Sequence, residues 1–251
     1  DLGDYYVVLS NLNNSISGLA PYYNRYESGT SMPAGDASGT LALMQEFFQQ
    51  LMPTHLTNSP ALMKALLING ARSVGVLYDY QVLNTINYQG WGQIKLANSV
   101  RSGLTNYVSG LNTISNSMLL FDQSPTNALA TGKSQTRTIS INPDGQTLPL
   151  RVTLVWTDPP GNPAAGVKLV NDLDLIVTNL DTGEIFLGND IPVNSTVTFP
   201  WETNVPPVID SINNVENVYL APALGFTPEN IRDGLPTPGG FGLADLRCCW
   251  R

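Results

Sequence analysis

One histidine, two cysteines and twelve Lys and Arg residues in a chain of 251 remove several kinds of chemistry at the outset. A zinc-type site needs His and Cys ligands at short, repeated spacings. His55 alone, with Cys248 and Cys249 adjacent to each other near the end, supplies no such spacing. Neighbouring cysteines bridge only with strain, so free thiols or pairing between molecules is the expectation, and a disulfide framework is excluded. The few cationic residues are outnumbered by twenty Asp and Glu, for a net charge of −8, which speaks against a nucleic-acid partner, since phosphate binding needs clustered Lys and Arg. No apolar run approaches the ~18 residues of a membrane span, so no membrane partner is expected either, and no leader of the secretory type is visible.

What the chain does have is unevenly distributed. From Ala34 to Leu51 apolar residues recur at Ala37, Leu41, Met44, Phe48 and Leu51, a 4-3-4-3 spacing that Leu43 and Phe47 widen. That period predicts a buried amphipathic helix. The run Glu27-Ser28-Gly29-Thr30-Ser31-Met32 leads into it, placing the Ser31 hydroxyl at a helix N-terminus. Unpaired backbone N–H groups and the positive end of the helix dipole meet there, which is the electrostatic half of a serine hydrolase site. The plain alternative for such a serine is an N-cap. A second helix is predicted from Asn58 to Ala71, with a cap candidate, Pro60 in the first turn and Gly70 as a stop.

Gly29-Thr30-Ser31-Met32, Ala34 and Gly39 resemble the nucleophile motif of the subtilisin-like serine proteases (subtilases). Asn58 to Ala71 is similar to the penultimate helix of such domains, and Tyr88-Gln89-Gly90-Trp91-Gly92-Gln93-Ile94 to the Gly-x-Gly turn near their end. The resemblance covers about Tyr22 to Ser99. Pro33 and Gly35 depart from it, standing where an Ala and a Pro are usual. Proline is tolerated in a first helical turn, whereas Gly35 loosens a turn the family stiffens. In subtilases the serine follows the catalytic Asp, His and oxyanion-hole Asn, and here only thirty residues precede Ser31. The resemblance therefore implies the C-terminal remnant of a catalytic domain over residues 1–110.

The base is the difficulty. A helix of about twenty residues from Ser31 rises ~1.5 Å per residue, which puts His55, just past its far end, roughly 30 Å from the hydroxyl. His55 thus reads as a loop histidine unless a second chain presents it. Asp36 reads as an offset to the helix dipole. Glu27 and Lys64 complete a dyad only within hydrogen-bond reach of Ser31, about 2.6–3.2 Å.

From Asn112 onward helical periodicity gives way to short β-rich runs: 136–141, 148–156, 174–179, 184–187, 193–199 and 215–220. Turn residues such as Asn142-Pro143-Asp144-Gly145 and Asp181-Thr182-Gly183 separate them. Leu148, Leu150, Val152, Leu154 and Trp156 alternate with Arg151 and Thr153, the pattern of a half-buried sandwich strand. Arg151 to Pro159 and Val170-Asn171-Asp172-Leu173-Asp174-Leu175 resemble the β-barrel or jelly-roll domain that follows the protease domain in bacterial alkaline subtilases. The fold class read from the whole is α+β: a helical remnant of a subtilase α/β domain, a boundary near 105–125, an antiparallel jelly-roll-like β-sandwich over 120–220, and an irregular Pro/Gly-rich tail over 221–251.

Asp172 and Asp174 are the metal candidates, for calcium, with Asp158, Asp181, Glu184 and Asp190 in or beside nearby turns. No EF-hand loop is present, and the alternative is that Asp172 and Asp174 point outward or cap a turn. The resemblance, in which such barrels often hold calcium, keeps the metal reading open; no cofactor is required for the chemistry. The Asn, Thr, Ser and Gly content resembles that of exported bacterial proteins, so secretion is expected. Asn13 and Asn194 fit the short glycosylation pattern.

A helix of this kind without its sheet, and a barrel without its last strands, leave an apolar face and an open edge, from which a homo-oligomer is expected. Three functions follow from these readings. One is a serine hydrolase with Ser31 as nucleophile and an incomplete triad, acting on peptides or small esters. The second is a non-catalytic, calcium-stabilised β-sandwich module, and the third an esterase-type site rebuilt at an oligomer interface.

Overall fold

The computed structural model describes residues 3–4, 7–8, 29–51, 59–72, 90–100, 118–143, 145–192, 195, 197–222 and 243–250, the last of these by backbone only. Glu27, His55, the glycosylation candidates Asn13 and Asn194, and the cysteine side chains lie outside the described residues, as does most of the expected domain boundary. The chain divides into two compact units, Asp1–Leu43 and Met44–Arg251. Helix and antiparallel sheet are combined, as the α+β reading expected.

Helix α1 spans Ser31–Leu51 and runs from the first unit into the second. It begins three residues before the predicted Ala34, because the Thr30 carbonyl already accepts the Ala34 N–H at 3.2 Å. The expectation of a buried helix is corrected. Met44 and Phe48 are buried and Ala37, Leu41 and Phe47 half-buried, whereas Leu43 is 54% exposed. The first half of the helix carries Gly35, Asp36, Ser38 and Gly39, which offer little apolar area, so burial is confined to the bulky residues of the second half.

Helix α2, Pro60–Gly70, is fixed at its start by Ser59, whose Oγ accepts the Leu62 N–H at 3.0 Å while Pro60 occupies the first helical position. The same hydroxyl donates to Asp122 Oδ1 at 2.6 Å, and the Ser59 N–H reaches Asp122 Oδ2 at 3.2 Å. Ser59→Ala removes the cap and one of its own two bonds to Asp122. It is expected to cost about 1–2 kcal/mol, read as a lower urea midpoint at unchanged m-value. Beyond α2, Arg72 and Gln93 form an antiparallel bridge, and a four-residue helix α3, Leu96–Ser99, packs on the end of α2. Between them Gly90 and Gly92 both have positive φ, +61° and +100°, so the Gly-Trp-Gly turn needs its glycines for backbone reasons.

Six strands follow: β1 Ser134–Ser140, β2 Leu150–Val155, β3 Leu173–Asn179, β4 Ile185–Leu187, β5 Val215–Leu220 and β6 Leu243–Trp250. They form two antiparallel sheets, β1-β6-β3-β4 and β2-β5. Leu175, Val177, Phe186, Val218 and Leu220 are the buried core, joined by Leu150, Val152 and Leu154 of β2. The opposite face of β2-β5 is covered by α2, whose Asn69 donates to Thr153 Oγ1 at 2.9 Å and to the Arg151 carbonyl at 3.1 Å. Covered on both faces, β5 is buried along its whole length.

Two readings of the second half change. The run 193–199 forms no strand among the described residues. Thr198 instead clips β5 from outside, its N–H donating to the Tyr219 carbonyl at 2.7 Å and its Oγ1 accepting the Tyr219 N–H at 3.1 Å. The tail, expected to be irregular throughout 221–251, holds β6, which lies between β1 and β3 and pairs with both. A strand enclosed on both edges is specified by its neighbours, and its own sequence need not alternate.

Candidate functional site

Ser31 is exposed at the first turn of α1. Gly29 before it has φ +149°, a conformation other residues rarely adopt, and the chain enters the helix through a turn at Thr30. Pro33 has no N–H and the Ala34 N–H is taken by Thr30. The donors that α1 leaves for a bound oxyanion are therefore the N–H groups of Ser31 and Met32, reinforced by the helix dipole. No acidic side chain lies in this first turn. Asp36, five residues on, is about 140° around the helix and roughly 7.5 Å along it from Ser31, so it neither faces the hydroxyl nor sits where the dipole is strongest.

Lys64 stands on α2 in the second unit and donates from Nζ to Asn214 Oδ1 at 3.0 Å. Burial lowers its pKa below the usual lysine value. Its contact ties α2 to the segment leading into β5.

The acidic residues of the β-rich unit divide into two kinds. Asp158 organises a loop, accepting the N–H groups of Val170 at 2.7 Å and Asn171 at 2.9 Å and the Asn171 side chain at 2.8 Å. Asp210 does the same, taking bonds from Asn189, Ile212 and Asn213. Burial acts to raise its pKa, but the bonds from Asn213, Ile212 and Asn189 outweigh it and hold the carboxyl below its ordinary range. Asp174 and Glu216 belong to the second kind. Asp174 is 6% exposed on β3, so the alternative in which it points outward is set aside, and Oδ1 of Asp172 just before β3 is buried. Glu216, on β5, is 1% exposed and was not among the candidates read from the sequence. Among the described residues no group of three or more His, Cys, Asp or Glu side chains is arranged to hold a metal ion, and the proposed function uses no calcium step.

On the α2 side of β5, Thr153 donates to Asn217 Oδ1 at 2.7 Å and the Tyr219 hydroxyl donates to the same atom at 3.0 Å. The Arg151 guanidinium lies 3.7 Å from the centre of the Tyr219 ring. Burial raises the Tyr219 pKa, and the neighbouring Arg151 partly opposes it. This network joins α2 to the sheet and is a packing feature.

No protein-family profile matches the chain. Three curated proteins of Dictyostelium discoideum do. The serine protease/ABC transporter B family protein tagD is 27% identical over 234 residues, covering 78% of this chain and 12% of its own length. The proteins of the same description named tagA and tagB are 27% and 26% identical, covering 82% and 78% of this chain. The chain is related to a region of proteins named serine proteases. It spans only 11–12% of the length of these relatives. No helix among the described residues is long and apolar enough to cross a membrane.

Proposed function

We propose that this chain is the C-terminal portion of a subtilase-type catalytic domain followed by a β-sandwich module, and that Ser31 is the nucleophile of a serine hydrolase acting on peptides or small esters. The observation that carries the reading is Gly-Thr-Ser-Met at the start of α1, with Ser31 exposed beside two N–H donors. The relation to proteins named serine proteases supports it. In this reading the Ser31 Oγ adds to a carbonyl carbon while the Ser31 and Met32 N–H groups receive the oxyanion. Asp36 is not directed at the hydroxyl and Lys64 is engaged with Asn214, so the proton acceptor is a group other than these two. The oxyanion site and substrate binding supply part of a triad's catalysis by themselves, which favours activated esters over peptide amides.

A fluorophosphonate probe and a p-nitrophenyl ester test the assignment on the full chain. Wild type is expected to label, and Ser31→Ala to lose labelling and at least about tenfold of its esterase rate. Equal labelling of Ser31→Ala moves the site elsewhere. A wild type that does not label leaves the non-catalytic sandwich module as the reading.

A further inference from the structure

Glu216 occupies an inward position in a strand whose alternate residues, Val218 and Leu220, line the apolar core. Its partner across β2 is Leu154. One carboxyl oxygen, Oε2, accepts the Leu175 N–H of β3 at 2.5 Å, and the other, Oε1, is buried with no hydrogen-bond partner among the described residues. The turn after β4 closes on it so tightly that a Cβ at Gly188 would lie 2.2 Å from Oε2. The charged groups around it among the described residues are all acidic: Asp174 on β3, Asp172 just before that strand, and Asp210 in the segment ahead of β5. Asp190, two residues beyond Gly188, is itself shifted upward by burial. A carboxylate in such a place lacks both solvent and a counter-charge, whereas a carboxylic acid keeps the Leu175 bond and carries no charge to desolvate.

We propose that Glu216 bridges the two sheets as a neutral carboxylic acid, so that a proton holds this contact and its loss in mildly alkaline solution loosens the β-sandwich. Burial, offset in part by the Leu175 N–H and reinforced by Asp174, Asp210 and Asp172, pushes the carboxyl from its ordinary 4.5 up to about 8. The folded chain therefore binds more protons than the unfolded chain between these values. The stability that the neutral form confers is complete below the lower value and is lost as pH rises through the upper one.

Thermal unfolding of the full chain, followed by near-ultraviolet circular dichroism from pH 5.5 to about pH 9, tests this with added calcium in one arm and a chelator in the other. Wild type is expected to lose roughly 5–10 °C of melting temperature across the range, equally in both arms. Glu216→Gln, which keeps an oxygen for Leu175 but cannot ionise, is expected to flatten that loss. A wild type with no such loss, or a loss of the same size in Glu216→Gln, overturns the proposal. So does a calcium-dependent rise in wild-type melting temperature that Glu216→Gln abolishes, since the carboxylate would then be held by a cation. Infrared spectra of wild type give a readout that does not need the variant to fold. A protonated-carboxyl C=O stretch at neutral pH that vanishes on mild alkalinisation supports the proposal, and its absence at neutral pH overturns it.

Discussion

Phe186→Ala is expected to remove about 3–5 kcal/mol from the stability of the β-rich unit, the range for emptying an aromatic side chain from a closed core. Phe186 is fully buried at the middle of β4, against the cluster of Leu175, Val177, Val218 and Leu220. These residues come from strands of both sheets, so the ring is one of the few side chains that join them. Strand β4 has only three residues and pairs with β3 alone, which leaves it little backbone pairing to fall back on when the ring is removed. A folded domain carries about 5–15 kcal/mol in total, so the variant is placed near the threshold of unfolding at room temperature. Urea denaturation monitored by near-ultraviolet circular dichroism reads the effect. Phe186→Leu, which refills much of the space, is expected to recover most of the loss. A penalty below about 1 kcal/mol for the alanine variant would mean that the two sheets are held together elsewhere.

Strands β1 to β5 were legible because each carries a short β-rich run bounded by turn residues. In β2 the alternation of Leu150, Val152 and Leu154 with Arg151 and Thr153 separates the core face from the α2 face. Strand β5 was legible as a strand but not as a doubly covered one. Its sequence Val-Glu-Asn-Val-Tyr-Leu places polar residues on both faces, and they are buried by partners far away in the chain: Glu216 by Leu175, Asn217 by Thr153 and Asn189. Glu216 is not recognisable from the sequence as a functional carboxylate for the same reason. A glutamate in a strand reads as solvent-facing until the topology shows that its position belongs to the core. Strand β6 was not legible because its insertion between β1 and β3 is a long-range choice, made after a Pro/Gly-rich stretch that marks the end of regular structure to any local rule.

At the candidate site the start of α1 was legible to within three residues. The shallow burial of α1 was not, because a 4-3-4-3 spacing reports which face turns inward and is silent on how much area that face carries. The Gly35, Ser38 and Gly39 positions that thin out the stripe are the clue that spacing alone passes over. The direction of Asp36 follows from helical geometry once the first residue of the helix is known, since one residue of uncertainty in the start does not change its offset from Ser31.

Gly70→Ala sets helix propensity against packing, and packing is expected to win. Alanine inside a helix is favoured over glycine by about 1 kcal/mol, and Gly70 is the last residue of α2, in ordinary helical backbone. Propensity alone thus forecasts a more stable protein. The new Cβ, however, would lie 2.1 Å from Ser99 Oγ, 2.7 Å from Ser99 N and 2.9 Å from Ser99 Cα. The hydroxyl can rotate away, but the other two atoms are backbone of α3, itself fastened to α2 by Asn98 Nδ2 donating to the Gly70 carbonyl at 3.2 Å. Relief therefore requires the 95–100 segment to move off the end of α2, breaking that bond and uncovering Ser99, which is fully buried. Overpacking of this kind costs about 1–3 kcal/mol, and the lost bond about 1 more, so the net effect is expected near 2 kcal/mol of destabilisation. Urea midpoints for Gly70→Ala and for Gly70→Ala combined with Ser99→Gly separate the terms. The double variant removes the hydroxyl clash and leaves the backbone clash, so only partial recovery is expected. Full recovery would place the whole obstruction in the Ser99 side chain. A Gly70→Ala variant more stable than wild type would show that α3 yields freely and that Gly70 is a helix stop in the ordinary sense, chosen for its backbone.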